Sequence, residues 1–305
     1  MLEFHTYDVF TDTPFLGNPL AIMPDADGLT TSQMQTLARE FNLSETIFVL
    51  QPDDPANRAK VRIFFPKAEI PFAGHPTIGC AIHLSGIAEA MSDVAVEMTL
   101  EEVAGSVRVL VRKTNGRLWA EFTAPLLPQR DRVVESAGLT ARALGLEPGD
   151  IGNAIAAKPE VWQAGPSYLL VPVATLSALG RARPAGAEWD ALTEHAGTIS
   201  AWLFVADEGN KFRARMFSPA GGTPEDPATG SAVVSFAGLL AQHGHCPQEE
   251  TRIRVTQGVE MGRWSEIEAT VVVREGSLSA VRIGGSAVQI SSGRIRVPAD
   301  QDSRF

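Results

Sequence analysis

Glu69 to Ala81 reads EIPFAGHPTIGCA, and Gly222 to Ala232 reads GTPEDPATGSA. Each writes a proline, a short turn with a polar or acidic residue, a second proline and a glycine at the head of an uncharged, helix-like run. The likeness extends upstream, where RIFFPKAEIP starts at Arg62 and RMFSPAGGTP at Arg215, so that Arg, Phe and two prolines match at one offset of 153. A two-residue deletion then aligns HPTIGCA from His75 with DPATGSA from Asp226 at an offset of 151. A strand, a turn and a helix start written twice imply duplicated domains.

The run after each turn tells where it sits. From Pro76 to Ala88, and from Pro227 to Gln242, there is no Asp, Glu, Lys or Arg. A helix apolar on every side is buried on every side, and in a strand-rich chain its place is inside a rolled sheet. Proline suits the first helical position, where its missing N–H is no loss. His75 and Asp226 are therefore expected at or just before the two helix N-termini. Those ends offer free N–H groups and a positive dipole to a carboxylate or phosphate. Gly74, Gly79 and Gly230 would let backbone and ligand approach closely. The doubled motif is thus expected to hold one small anionic molecule from both sides, across a cleft between the domains.

Composition narrows the alternatives. At 305 residues and 44% hydrophobic content the chain is long enough for two domains with sizeable cores. A net charge of −10 argues against a nucleic-acid or acidic-membrane partner. The N-terminus MLEFHTYDVF alternates like a strand and lacks the basic start and apolar run of a signal peptide, and a cytoplasmic location is expected. Cys80 and Cys246 have no metal spacing around them, so neither a disulfide framework nor a metal site is indicated.

Strand patterns run through FHTYDVF, NPLAIM, ETIFVL, KVRIFF, VAVEMTL and SVRVLVRK in the first half, and through SYLLVPV, AWLFVA, FRARMF, TRIRVTQ, EATVVVR, LSAVRI and AVQISS in the second. Met34, Leu37, Ala38 and Phe41 mark an amphipathic helix, with Thr30 and Gln33 as a capping box. Weaker helices are expected near Leu139 to Leu146 and Trp189 to Ile199. The stretch APLLPQRDR around Pro125 to Pro128 is the linker candidate.

FLGNPLAI, NLSETIFV, EIPFAGHPTIG, RMFSPAGGTPEDPATGSA and QGVEMGR together resemble the phenazine-biosynthesis PhzF-like family, from the first strand to about Arg263. The resemblance implies an α+β, diaminopimelate epimerase-like fold with two pseudo-symmetric domains, each a rolled β-sheet around a central helix. The domains are placed at residues 1–122 and 123–286, with the last strand, within 287–305, joining the first. It also implies a cofactor-independent isomerase, as in the family member that shifts a double bond in a cyclic dihydro-hydroxyanthranilate, and a homodimer. Carried over residue by residue, Glu45 is the proton carrier, and His75 and Asp226 position the substrate and assist proton transfer. Gly74, Gly230 and Ser231 match the region that binds the substrate carboxylate, and Asn18 is a motif asparagine near the site. One departure is Trp264, where the family commonly has proline after MGR.

The residue types fit that chemistry, since a shuttle between two carbons needs one group that accepts and returns a proton within hydrogen-bond reach. Simpler structural readings stand beside it: Glu45 as a turn residue ahead of TIFVL, and His75 and Asp226 as helix caps. His243 and His245 are read as a C-terminal cap and loop. A non-catalytic anion-binding protein and an amino-acid epimerase lacking the cysteine pair are the alternatives. Two-thiol racemisation is disfavoured because Ala73 and Asp226 stand where the cysteines would be.

Overall fold

In the computed structural model, which describes residues 1–300, the chain begins β1 (Leu2–Val9), β2 (Asn18–Met23), α1 (Thr31–Phe41), β3 (Glu45–Leu50), β4 (Ala59–Phe65), β5 (Ala68–Ile70) and α2 (Gly74–Ser85). It continues through β6 (Val94–Glu102), β7 (Gly105–Thr114), β8 (Arg117–Thr123), β9 (Gln129–Val133), α3 (Ala137–Ala143), β10 (Glu160–Gln163), β11 (Ser167–Pro172), α4 (Leu176–Arg181) and α5 (Gly186–Ala196). The remaining elements are β12 (Ala201–Ala206), β13 (Lys211–Ser218), β14 (Thr223–Asp226), α6 (Gly230–Gln242), β15 (Glu250–Gln257), β16 (Ser265–Arg274), β17 (Ser277–Gly285) and β18 (Ala287–Ile295). Met1–Pro125 and residues 284–300 form one unit, and Leu126–Ile283 the other.

In the first unit the strand order is β18–β1–β2–β3–β4–β6–β7–β8, with β2/β3 and β4/β6 parallel and the other neighbours antiparallel. β8 and β18, at opposite ends of this order, both touch α2, as do β1, β2, β3, β6 and β7. A sheet whose two ends meet one helix has rolled around it. Every residue of α2 from Gly74 to Ile82 is buried, as a charge-free helix demands. Gly79 makes the close fit possible, because a Cβ there would lie 2.6 Å from Leu20 Cδ2 and 2.9 Å from Val9 Cγ2. The open side of Gly79 thus faces strand side chains, which corrects the expectation that it serves ligand approach. α1 lies outside the roll with the expected capping box of Thr30 and Gln33, burying Met34, Leu37 and Ala38 against Phe48 and Phe64.

The second unit repeats the pattern with β9–β10–β11–β12–β13–β15–β16, in which β11/β12 and β13/β15 are parallel. α6 touches β9 and β16, near opposite ends of that order, together with β10 and β11, and is buried from Gly230 to Leu240. A second core lies outside this roll, where α3, α4 and α5 bury Leu144, Leu179, Trp189 and Leu192 with Leu203 and Phe217. Parallel pair, antiparallel strand, short hairpin, central helix, parallel strand: the same sequence of steps builds both units, as duplication requires.

Register corrects the sequence alignment within the repeat. Ile63 pairs with Ile70 and Phe64 with Glu69 in the first hairpin, and Met216 with Asp226 and Phe217 with Glu225 in the second. Ile63 and Met216 are 153 apart, so the partner of Asp226 in the repeat is Ile70. Each helix starts four residues later, at Gly74 and Gly230, which makes Ser231 the counterpart of His75. The second hairpin has three extra residues and a bulge between Phe217 and Ser218. Matching small residues along an apolar helix slid the sequence alignment, whereas backbone pairing fixes it.

The hairpins share an ion pair as well. Arg62 Nη2 lies 2.6 Å from Glu69 Oε2 with its guanidinium 5.2 Å from the Phe64 ring centre, and Arg215 Nη2 lies 2.9 Å from Glu225 Oε2 with its guanidinium 4.7 Å from Phe217. Six elements escaped the sequence reading: the strands β5, β8, β9, β10 and β14 and the helix α4. The strand β9, Gln129–Val133, overlaps the end of the stretch APLLPQRDR read as linker; every residue of it is exposed, so it carries no alternation. α4 is a six-residue helix, too short for periodicity.

Candidate active site

Glu45 is the first residue of β3, where parallel pairing sets it against Leu20 of β2. Two residues upstream on that neighbouring strand, Asn18 opens β2, fully buried. His75 is the second residue of α2, in a first turn whose N-cap, Ala73, makes no side-chain bond. The expectation that His75 caps the helix is therefore corrected: it stands inside the first turn, next to Gly74. Its Nδ1 lies 3.3 Å from Glu45 Oε2, and its side chain is 4% exposed against 19% for Glu45. Nε2 is buried with no partner among the described residues. Burial pushes the imidazole down to about 3, with a backbone hydrogen bond to Pro19 pulling the other way. At neutral pH His75 is thus an uncharged ring that can donate through one nitrogen and accept through the other. Pro76, the third helical residue, brings no N–H, so Gly74 and His75 supply the leading N–H groups of the first turn.

In the second unit Asp226 ends β14, four residues ahead of α6, and is not its N-cap; that position is Thr229. The physical reason is the hairpin register, which draws Asp226 into strand pairing with Met216. A directed chain of hydrogen bonds holds it. Trp202 Nε1 donates to Gln257 Oε1 at 3.0 Å, and Gln257 Nε2 donates to the Asp226 carbonyl at 2.7 Å and to Thr229 Oγ1 at 3.0 Å. Thr229 in turn donates to Asp226 Oδ2 at 2.5 Å. All four residues are buried. The next residue, Gly258, has φ +76, and a Cβ there would sit 2.7 Å from the Pro227 carbonyl, so only glycine lets this loop back the Asp226 turn. Gly230 and Ser231 open α6, and Ser231 Oγ lies 2.7 Å from Tyr168 OH. Gln257, Thr229 and Trp202 had no role assigned from sequence; the QGVEMGR motif was the available signal for the first.

Neither cysteine is a candidate acid or base. Cys80 is buried in the middle of α2, where burial pushes its thiol far up, and burial likewise raises Cys246. Trp264 is half exposed, on the loop after Gly262. His243 is the C-cap of α6 and its Nε2 meets Glu160 Oε1 at 2.7 Å. Among the described residues no cluster of three or more His, Cys, Asp or Glu could hold a metal, and no helix is long and apolar enough to cross a membrane.

Rolled sheets around two central helices, with chemistry-bearing side chains in or just ahead of the helix first turns, define an α+β fold of the diaminopimelate epimerase class. Solved structures agree. A phenazine biosynthesis protein of the PhzF family from Bacillus anthracis superposes with a TM-score of 0.84 at 27% identity, covering 97% of this chain and 99% of its own. A probable proline racemase from Agrobacterium radiobacter shares the fold alone, with a TM-score of 0.65 at 16% identity. Residues 7–293 match the family described as phenazine biosynthesis-like protein, and the chain belongs to it. Its relatives are isomerases, and it is an isomerase of that family. An uncharacterised isomerase of Mesorhizobium japonicum is 41% identical, over 95% of this chain and 97% of its own. The trans-2,3-dihydro-3-hydroxyanthranilate isomerase of Pseudomonas aeruginosa is 36% identical, over 96% and 99%.

Proposed function

We propose that the protein moves a proton between two carbons of a small carboxylate-bearing substrate, cyclic or amino-bearing, without metal or organic cofactor, and that Glu45 carries the proton. The observation behind this reading is the Glu45–His75 contact of 3.3 Å at the first turn of a buried helix. In one step the Glu45 carboxylate takes a proton from a substrate carbon and the electron pair of that C–H bond becomes part of a shifted double bond. In the next, the same carboxyl returns the proton to a carbon further along, so nothing is gained or lost overall. His75, neutral at working pH, holds Nδ1 3.3 Å from Glu45 Oε2 and offers Nε2 to the substrate. The Gly74 end of the α2 dipole favours a carboxylate.

On the second unit we assign Asp226 to orienting the substrate and Gly230 and Ser231 to binding it; Asn18 is assigned to substrate contact on the first. The substrate named for the Pseudomonas aeruginosa relative, trans-2,3-dihydro-3-hydroxyanthranilate, is the first compound to try. Homodimeric assembly and a cytoplasmic setting belong to the same proposal, and sedimentation tests the first. Epimerisation through paired thiols fits poorly, since the Cys80 thiol is buried and pushed far up. Proton NMR in deuterated buffer over a panel of cyclic and amino carboxylates, with Glu45→Gln as control, tests the reading. Deuterium uptake with a shifted double bond, lost in the variant, supports it. Binding without exchange in both proteins would leave an anion-binding protein, and deuterium at an inverted stereocentre an epimerase.

A further inference from the structure

Beneath the first turn of α2 lies a carboxyl that the proposed proton transfer does not use. Glu102 ends β6, buried. Its Oε1 is 2.7 Å from Thr77 Oγ1, and its Oε2 is buried with no partner among the described residues. Thr77 is the fourth residue of α2, and the same Oγ1 is also 2.7 Å from the carbonyl of Ala73, the N-cap of the helix. A hydroxyl has one proton, and a carbonyl can only accept. With two acceptors at equal short distance, the arrangement closes without a missing hydrogen only when the carboxyl itself is the donor.

We infer that Glu102 is a positioning residue that works as a neutral carboxylic acid, donating to Thr77 Oγ1 so that Thr77 can donate to the Ala73 carbonyl, and thereby clamping β6 to the turn that carries Gly74 and His75. The neighbouring backbone supports the clamp, since Ala104 N–H donates to the Pro71 carbonyl at 3.0 Å and ties the β6–β7 turn to the segment leading into α2. Among the described residues no cation pairs with the carboxyl to keep it ionised. From α2 the titratable group facing it is Cys80, itself neutral; Arg58 acts on Cys80, and Tyr7 of β1 is linked to the same thiol. On its own strand Glu101 is bonded elsewhere, to Asn57 and the Asp53 and Asp54 amides, and Lys60 of β4 is taken by Asp53. Opposite on β7 stands Gly105, which brings no charge. Burial pushes the Glu102 carboxyl up to about 8, with the Thr77 contact pulling modestly the other way. Because that value lies above the 4.5 of an exposed Glu, the stability Glu102 contributes is whole below about 4.5 and is lost as pH rises through about 8.

Only its catalytic consequence rests on the proposed function; the clamp itself is read without substrate. The test is NMR of the full chain with Glu side-chain carboxyl carbons labelled with carbon-13, titrated from about pH 5 to 10, with the backbone amides of Gly74, His75 and Thr77 monitored in parallel. The expected result is one Glu carboxyl with a midpoint near 8, absent in Glu102→Gln, and the three amides shifting with the same midpoint in the native protein but not in the variant. The amide of Gln preserves a donor to Thr77, so Glu102→Gln should fold, and its folding equilibrium constant relative to the native protein should rise by up to about tenfold per pH unit between roughly 5 and 8. A Glu102 carboxyl already ionised at about pH 6, or α2 amides that ignore its titration, overturns the inference; both are read on the native protein whether or not the variant folds. Loss of substrate turnover with the clamp intact would count against the proposed function instead.

Discussion

At the residue scale the proposed site rests on two side chains, Glu45 and His75, brought together from different elements. Replacing Glu45 by Gln keeps its shape and removes its ability to carry a proton, so turnover or solvent exchange should fall by about 10²–10⁴-fold while the melting temperature stays within a degree or two, as NMR exchange and calorimetry would register. His75 makes a pH prediction. Its folded value of about 3 lies below the ordinary 6.5, so the stability gained by keeping it neutral is whole above about pH 6.5 and is lost as pH falls toward 3. Urea unfolding at about pH 7, 6, 5 and 4 should show the native protein losing up to about 1.4 kcal/mol per pH unit more than His75→Gln. Parallel curves would mean that the ring is protonated without cost. Glu45 and His75 were both legible as candidates in LSET and AGHPT. Their contact was not, because thirty residues of chain separate them and only the roll of β3 around α2 closes the gap.

At the element scale the two hairpins hold nearly the same ion pair in different surroundings. Arg215 is buried and also donates to the carbonyls of Leu179 and Ala182 at the end of α4, at 3.0 and 2.7 Å, whereas Arg62 is partly open to water. Truncating Arg215 to Ala leaves Glu225 and those carbonyls without their donor and should cost about 3 kcal/mol or more in urea unfolding, against about 1 kcal/mol for Arg62→Ala. Equal losses would place the Arg215 pair effectively in solvent. The Gln257 relay predicts similarly: Gln257→Leu strands the Trp202 N–H and the Asp226 carbonyl in a buried setting, at about 2–3 kcal/mol by thermal unfolding. The pairing of Asp226 with His75 in the sequence alignment failed at this scale. Apolar, small-residue helices align equally well in several registers, and the three extra residues in the second hairpin turn are visible only once β13 and β14 are paired.

At the scale of the whole molecule the first unit is closed by the end of the chain. β18 pairs with β1, and among the described residues β1 otherwise has only β2 beside it. A chain ending at Ser286 should therefore expose β1 as an unprotected edge, so that Met1–Pro125 becomes protease-sensitive and prone to association while Leu126–Ile283 stays resistant, as limited proteolysis with mass spectrometry would show. The sequence by itself determined that two helices without charge must be enclosed by strands and that the enclosing pattern is written twice, because burial on all sides and period-two alternation are local, composition-level demands. It also carried the family motifs that name Glu45, His75 and Asp226. Only the tertiary structure decided which residues correspond between the copies, that Glu45 meets a neutral His75, that Gln257 and Trp202 orient the Asp226 turn, and that Glu102 is sealed beneath α2. Those facts depend on strand register and on desolvation, which arise from contacts between segments distant in the chain and leave no periodic trace in any one of them.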